Sequence, residues 1–179
     1  QYQPLDDKER ISHEKIMDFV KINQKCFEND FAPGHITGSA LVVDDQYESF
    51  LLTHHTKLNL WLQFGGHSDG HSVVSDTAMR EAREESGLTS LTFSPLVDGI
   101  FDIDVHTIPM RGNLAEHFHY DVRFLVIGDK NEQFVLSTES KELRWVKLDD
   151  ALRYNSRPEF MRMVNKVKYL RKQTLDRKI

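Results

Sequence analysis

The sequence predicts an α+β fold, in which strands and helices occupy separate stretches rather than a regular βαβ array. Three observations predict it. Apolar residues recur at helical spacing near both ends, runs of β-branched and apolar residues fill the middle, and one more helical stretch follows a glycine-rich loop. The chain has 179 residues, 39% hydrophobic and 28% charged, which suits one domain with appended helices. That composition excludes a disordered, collagen-like or coiled-coil chain.

The first segment is predicted as a helix. Asp6 followed by Glu9 fits a capping box, Ile16, Phe19, Val20 and Phe27 make an apolar stripe, and Pro33 and Gly34 require a stop near Asn29. Cys26 then sits on this helix as a small core residue. Ile36 to Val43 and Glu48 to His55 read as strands joined by a turn opening at Asp44-Asp45, and Leu58 to Phe64 as a third. A helix follows from about Ser75 to Ser86, with Gly87 placed as its left-handed cap. Further strands are expected near Leu91 to Phe93, Gly99 to Val105, Glu116 to Ile127 and Glu142 to Leu148. A last helical region begins after Leu148 and is broken near Pro158.

Charge and composition exclude several function classes. The net charge is 23 − 28 = −5, so no global positive field for nucleic acid exists. The locally basic stretch Lys166 to Lys178, with Phe160, Met163, Val164, Val167 and Leu170 at helical spacing, reads as an amphipathic helix with a solvated basic face. No apolar run is long enough to span a bilayer, and the polar first ten residues show no secretory h-region. A single cysteine excludes an internal disulfide and a cysteine-based zinc site. A cytoplasmic setting is the expectation.

The chemistry concentrates in Arg80-Glu81-Ala82-Arg83-Glu84-Glu85-Ser86-Gly87-Leu88. Helical spacing puts Glu81, Glu84 and Glu85 on one face within a turn. Three adjacent like charges repel, and a bound divalent cation would reverse the sign of that repulsion. A solvated acidic face with surface pairs to Arg80 and Arg83 is the alternative reading of the same residues. The segment resembles the Nudix box, G-x5-E-x7-R-E-U-x-E-E-x-G-U, with U a bulky or aliphatic residue. Arg80, Glu81, Glu84, Glu85 and Gly87 fall on fixed positions, Ala82 and Leu88 on the apolar ones, and Gly66 on the opening glycine. Gln63-Phe64-Gly65-Gly66 is similar to the run before a Nudix helix, and Glu142-Leu143-Arg144-Trp145-Val146 to the late Nudix strand. One position departs: Ser72 stands where the box has its first Glu, which in the family ties the loop to the helix and supports the Arg. Asp69 or Asp76 is placed to substitute.

The resemblance implies a Nudix α/β/α sandwich with a mixed sheet. Its extent predicts an N-terminal helical extension over 1–34, a Nudix hydrolase domain over 35–151 and a C-terminal helix over 152–179 packed on the same domain. It implies hydrolysis of the diphosphate linkage in a nucleoside diphosphate derivative, assisted by Mg²⁺ or Mn²⁺. Carried over, Glu81, Glu84, Glu85 and the carbonyl of Gly65 would hold the metal, and Arg80 would orient Glu81. The metal would neutralise phosphate charge and lower the pKa of a bound water, and phosphoryl transfer then needs mainly positioning and charge stabilisation. The catalytic base is open between a box carboxylate (Glu81 or Glu84) and Glu139 from a later loop. The partner implied is a small nucleotide, with no nucleic acid and no membrane, and homodimerisation is a family-level expectation. A catalytically inactive module that binds a nucleotide and regulates a partner is the alternative, favoured only by Ser72.

The residues around the box add candidates. His117, His119, Asp121 and Arg123 alternate with Phe118, Tyr120, Val122 and Phe124, so period two puts the polar set on one sheet face. That face either meets solvent or lines the substrate cleft, where His and Arg would meet phosphate or base. His-x-His-x-Asp also has the spacing of a transition-metal site. Glu116 is a candidate additional acid. His67, directly after the two glycines, and Lys57, before the loop, are candidate phosphate contacts.

Overall fold

The computed structural model describes residues 2–29, 33–110, 112 and 115–176. Lys178, the end of the basic stretch, lies outside the described residues. The order of elements is α1 (Asp7–Ile22), β1 (Gly34–Val43), β2 (Ser49–His55), β3 (Leu60–Leu62), β4 (Phe64–His67), α2 (Val74–Ser86), β5 (Thr92–Phe93), β6 (Asp102–Ile108), β7 (His117–Ile127) and β8 (Ser140–Lys147). A 3₁₀ turn (Leu148–Asp150), α3 (Ala151–Tyr154) and α4 (Pro158–Asp176) complete it.

One mixed sheet organises the molecule. β1 pairs in parallel with β7, from Gly34 opposite Phe118 to Val43 opposite Ile127. On its other edge β1 pairs antiparallel with β4 from Thr37 to Ala40 and with β2 at its end. β6 and β5 add antiparallel to β7, and β3 and β8 to β2. β1 is buried along its whole length, as expected of a central strand paired on both edges. Its even positions Ile36, Ala40 and Val42 join Val122, Phe124 and Val126 of β7 beneath α1 and α2. Its odd positions Leu41 and Val43 join Leu125, Phe50 and Leu52 beneath α4, through Phe160, Met163, Val164 and Val167. The result is the α/β/α sandwich expected.

The first helix is shorter than its pattern suggested. It ends at Ile22, not near Asn29, because the Asn23 backbone N–H and side-chain amide both donate to Phe19 O, at 3.1 and 2.8 Å, and close the last turn. The chain then turns so that Cys26 O accepts from Ile36 N at 2.7 Å, which ties the segment to β1. Cys26 is therefore core, but in a turn. Val20 is exposed, whereas Glu9 and Ser12 lie on the buried face with Ile16 and Phe19. The N-cap is as read: Asp6 Oδ1 accepts from Glu9 N at 2.8 Å. The predicted third strand divides at Gln63 into β3 and β4, and the strand expected from Gly99 begins at Asp102, after Gly99 takes a left-handed φ of 85°.

A buried ionic cluster fastens α4 and α1 to the sheet. Asp102 on β6 is fully buried and accepts from Arg162 Nε at 2.8 Å and Arg123 Nη1 at 3.1 Å, with Lys166 Nζ at 3.0 Å. Lys166 and Tyr2 both donate to the buried carboxylate of Glu9. Among the described residues no helix is long and apolar enough to cross a membrane.

Candidate active site

The half of the odd face that α4 leaves uncovered is polar on both central strands. On β1 the residues before Leu41 are His35, Thr37 and Ser39, and on β7 those before Leu125 are His117, His119, Asp121 and Arg123. The face is not an open outer surface: His117, Asp121 and Arg123 are buried and His119 is half-buried. It forms the floor of a cleft of about 740 Å³, walled by β4, α2, β6, the loop before β3 and the start of α4.

Close packing sets the acidic wall. A Cβ at Gly38 of β1 would lie 2.8 Å from Val74 O and 3.0 Å from Thr77 Cβ, so only glycine lets α2 approach β1 this closely. Ala78 and Ala82 bury the same helix face, and Gly87 ends it with φ 72° and its N–H on Arg83 O at 2.8 Å. Glu81 and Glu85, one turn apart, then face β4. Glu85 is buried and accepts from Gly65 N at 3.0 Å. Burial, reinforced by the charges of Glu81, Glu139 and Glu84, pushes its carboxyl up to about 8 against the opposing Gly65 N–H bond. Glu81 is also shifted upward by burial, and its carboxylate lies against Gly66.

Arg80 knots the glycine loop to the helix. Its Nη2 donates to His67 O at 2.8 Å and lies 3.5 Å from Asp69 Oδ2, while Nη1 lies 2.8 Å from Glu81 Oε1 and 3.3 Å from Glu84 Oε2. Asp69, rather than Asp76, thus stands beside the arginine in this chain, whose Ser72 is exposed. Asp69 has a left-handed φ of 50° and accepts from Asn29 Nδ2, and Gly70 N donates to Phe27 O at 2.9 Å. The loop is pinned on both sides.

The structure brings Gly65, Glu81, Glu85, His67, Lys57, Glu139, His119 and Arg123 to the cleft wall. Arg80, Glu84 and His117 stand just outside it. Glu84 is the most exposed of the box carboxylates, at 61% of its side chain. Arg123 lies on the floor but is engaged by three carboxylates: Nε donates to Asp121 at 2.7 Å, with Asp102 at 3.1 Å and Asp104 at 3.4 Å from its other nitrogens. Asp121 in turn accepts from Ser39 Oγ at 2.6 Å and Thr37 Oγ1 at 3.1 Å. Sequence reasoning missed His35, Asp104 and His106, and the contribution of Arg157, Glu159, Phe160 and Met163 from the start of α4. The period-two pattern Asp102, Asp104, His106 was readable; its place beside Arg123 depends on the β6–β7 register.

Histidines converge at the open end of the floor. His35 and His119 are register partners across β1 and β7, and His106 partners His119 across β6 and β7. Burial, together with the neighbouring histidines, lowers His35 to about 4 and His119 to about 2, so both rings are neutral at pH 7.

Residues 34–166 match the family model described as the NUDIX domain, which extends beyond β8 into α4. No curated protein matches the chain. Among solved structures, a C. elegans Ap4A hydrolase aligns with a TM-score of 0.59 at 19% identity, over 75% of this chain and 95% of that one. A NUDIX-family hydrolase from Clostridium perfringens aligns at 0.53 and 21%, over 76% and 97%. The E. coli dihydroneopterin triphosphate pyrophosphohydrolase aligns at 0.52 and 12%, over 73% and 92%. At these identities the likeness is one of fold.

Proposed function

The chain belongs to the NUDIX domain family, and from that membership we propose that it hydrolyses the diphosphate linkage of a nucleoside diphosphate derivative with a divalent metal ion. The family makes it a pyrophosphohydrolase; the substrate class, the metal and the residue roles are this proposal's content. The observation that carries it is the pairing of Glu81 and Glu85 against Gly65 and Gly66 at one wall of a nucleotide-sized cleft.

The donor set fits a hard divalent cation. Arg80 pairs with Glu81 and Glu84 but no ion pair reaches Glu85 among the described residues, and the burial that lifts Glu85 is the cost a bound cation would offset. Glu81, Glu85, the Gly65 carbonyl and the more exposed Glu84 would hold Mg²⁺, with Mn²⁺ as substitute. When bound, the ion supplies neutralisation of the diphosphate charge. Arg80 holds Glu81 in place and draws the His67 carbonyl to the helix. Lys57 and His67 on the cleft wall are the proposed phosphate contacts, and the apolar Leu58, Leu60, Phe160 and Met163 suit a base or other apolar group. Glu139 is the proposed general base. It lies on the cleft wall, is exposed, and is near enough for its charge to act on both Glu81 and Glu85. The proposed setting is cytoplasmic.

The names of two of the aligned structures, an Ap4A hydrolase and a dihydroneopterin triphosphate pyrophosphohydrolase, support a phosphate-anhydride substrate. The test is phosphate release from dinucleoside polyphosphates, nucleotide sugars, ADP-ribose, NADH and nucleoside triphosphates, with Mg²⁺, Mn²⁺ or chelator. The expected result is metal-dependent turnover of at least one substrate, reduced by about 10²–10⁴-fold in Glu85→Gln. Absence of turnover in folded, metal-loaded protein would overturn hydrolysis in favour of a nucleotide-binding module.

A further inference from the structure

We propose that His35, His117 and His119 form a second metal site, selective for a zinc-type transition-metal ion and separate from the carboxylates of α2. Among the described residues these three are the set of ligand-type side chains whose donor atoms all lie within 4.8 Å of one another. They come from two strands. The parallel register sets His35 beside His119, and period two sets His117 on the same face.

Two observations beyond proximity point to a ligand. His35 is 1% exposed, yet neither ring nitrogen has a hydrogen-bond partner, and His119 Nε2 is likewise buried and unpartnered. A buried imidazole with both nitrogens unsatisfied is costly, and an ion is among the few occupants that would satisfy it. His117 Nδ1 lies 2.9 Å from the carbonyl of Ala115. A carbonyl only accepts, so Nδ1 donates to it and Nε2 is the nitrogen left to face an ion. This is the arrangement that orients a ligating histidine from its far side.

The chemistry of the donors sets the class of ion. Three imidazole nitrogens suit Zn²⁺, Co²⁺ or Ni²⁺ and not Mg²⁺, which prefers oxygen. At metal–nitrogen distances of about 2.0–2.1 Å, tetrahedral donors stand roughly 3.3 Å apart, so modest ring rotations close the set. Three protein ligands leave a fourth position open. His67 is the adjacent ring, edge-on to His35 with centroids 4.7 Å apart. Its strand also carries Gly65 and Gly66, so the site adjoins the acidic wall without sharing its carboxylates.

The experiment uses the full chain without an affinity tag, stripped by chelator, reloaded with Zn²⁺ or Co²⁺ and desalted, and reads Zn²⁺ by elemental analysis and Co²⁺ by its visible d–d bands. The expected result is about one Zn²⁺ retained per chain and a four-coordinate Co²⁺ spectrum, undiminished by millimolar Mg²⁺. Both signals should persist in the Glu81→Gln/Glu85→Gln variant and weaken at least ~100-fold in His117→Gln and His119→Gln. Should those histidine variants fail to fold, the wild-type and double-glutamine spectra decide alone. The proposal is overturned if stripped wild-type protein reloaded with Zn²⁺ and desalted retains none, or if binding disappears with the glutamates and survives loss of the histidines. Because hydrolysis is not the readout, failure here leaves the proposed reaction standing, and the reverse also holds.

Discussion

Gly66 lies directly beneath the carboxylate of Glu81: a Cβ at Gly66 would sit 2.5 Å from both Cδ and Oε1 of that side chain. The clash is with the far end of a flexible side chain, so the glutamate moves and the backbone does not. Gly66→Ala should therefore lower kcat/KM by roughly 10–100-fold while costing under about 1 kcal/mol of stability. Gly38→Ala is the contrast, because its clash is with the Val74 carbonyl at 2.8 Å. It should cost about 1–3 kcal/mol. Urea melts beside steady-state kinetics check both, and equal stability losses in the two variants would contradict the assignment.

Glu85 predicts a pH dependence. Its folded-state pKa is raised from the ordinary 4.5 to about 8 by burial, with the neighbouring glutamates adding to it. The folded chain thus holds this proton more tightly than the unfolded chain. Below about pH 4.5 the group costs nothing, and its destabilisation grows as pH rises towards about 8. Glu85→Gln removes the charge and can still accept from Gly65 N–H. Metal-free Glu85→Gln should melt above the wild type near pH 8.5 and level with it near pH 4.5. Mg²⁺ should stabilise the wild type at the higher pH and the variant much less. Calorimetry at both pH values decides, and parallel melting curves would refute the prediction.

How much was readable depended on how local each signal was. The spacing of Glu81 and Glu85, the left-handed Gly87 and the glycines of β4 are local patterns; Gly87 ends α2 as read, and the glutamates and glycines meet at one wall. The polar alternation of β7 was also visible, but whether that face was wet or walled depended on which strand lay beside it. Its parallel partner β1 lies some eighty residues earlier in the chain, and no periodicity encodes that register. Hence His35 was missed, as was the extent to which Arg123 is occupied by Asp102 and Asp104 of β6. The end of α1 was misplaced for a related reason. Phe27 and Cys26 continue an apolar pattern, but they do so from a turn that pairs with β1, and apolar spacing records burial without recording backbone conformation.

Asp102 should be a stability residue. It is fully buried, and although burial alone would raise its carboxyl, Arg162, Arg123 and Lys166 hold it below the ordinary 3.8. A depressed carboxyl contributes stability that is complete above the unfolded pKa and is lost as pH falls through the folded value. Asp102→Ala leaves two buried guanidiniums short of a partner and should cost about 3–5 kcal/mol at pH 7. The deficit should shrink as pH falls below the ordinary 3.8 and through the lower folded value, where the wild type loses the same interaction. Urea unfolding at pH 7 and over a descending series below pH 3.8 measures both, and a loss below about 1 kcal/mol at pH 7 would show that the cluster does not fasten α4 to the sheet.

Asp69 should carry the task that Ser72 leaves undone. Its carboxylate lies 3.5 Å from Arg80 Nη2, the same nitrogen that holds the His67 carbonyl, so it helps fix the guanidinium that faces Glu81. Asp69→Asn is the informative change, since asparagine tolerates the left-handed φ of 50° at this position, removes the charge and keeps one of the two acceptor oxygens. The pair is partly exposed, at 40% and 55% of the two side chains, so its contribution is modest. A fall in kcat of roughly two- to fivefold with little change in stability is expected. Ser72→Glu alone should alter kcat by less than about twofold, because Arg80 already has its acid. In the Asp69→Asn background the same glutamate should recover most of the lost rate. Additive, unrescued losses in the double variant would mean that the exposed Ser72 position cannot reach Arg80 along this loop path, and that Asp69 acts through the loop rather than through the arginine.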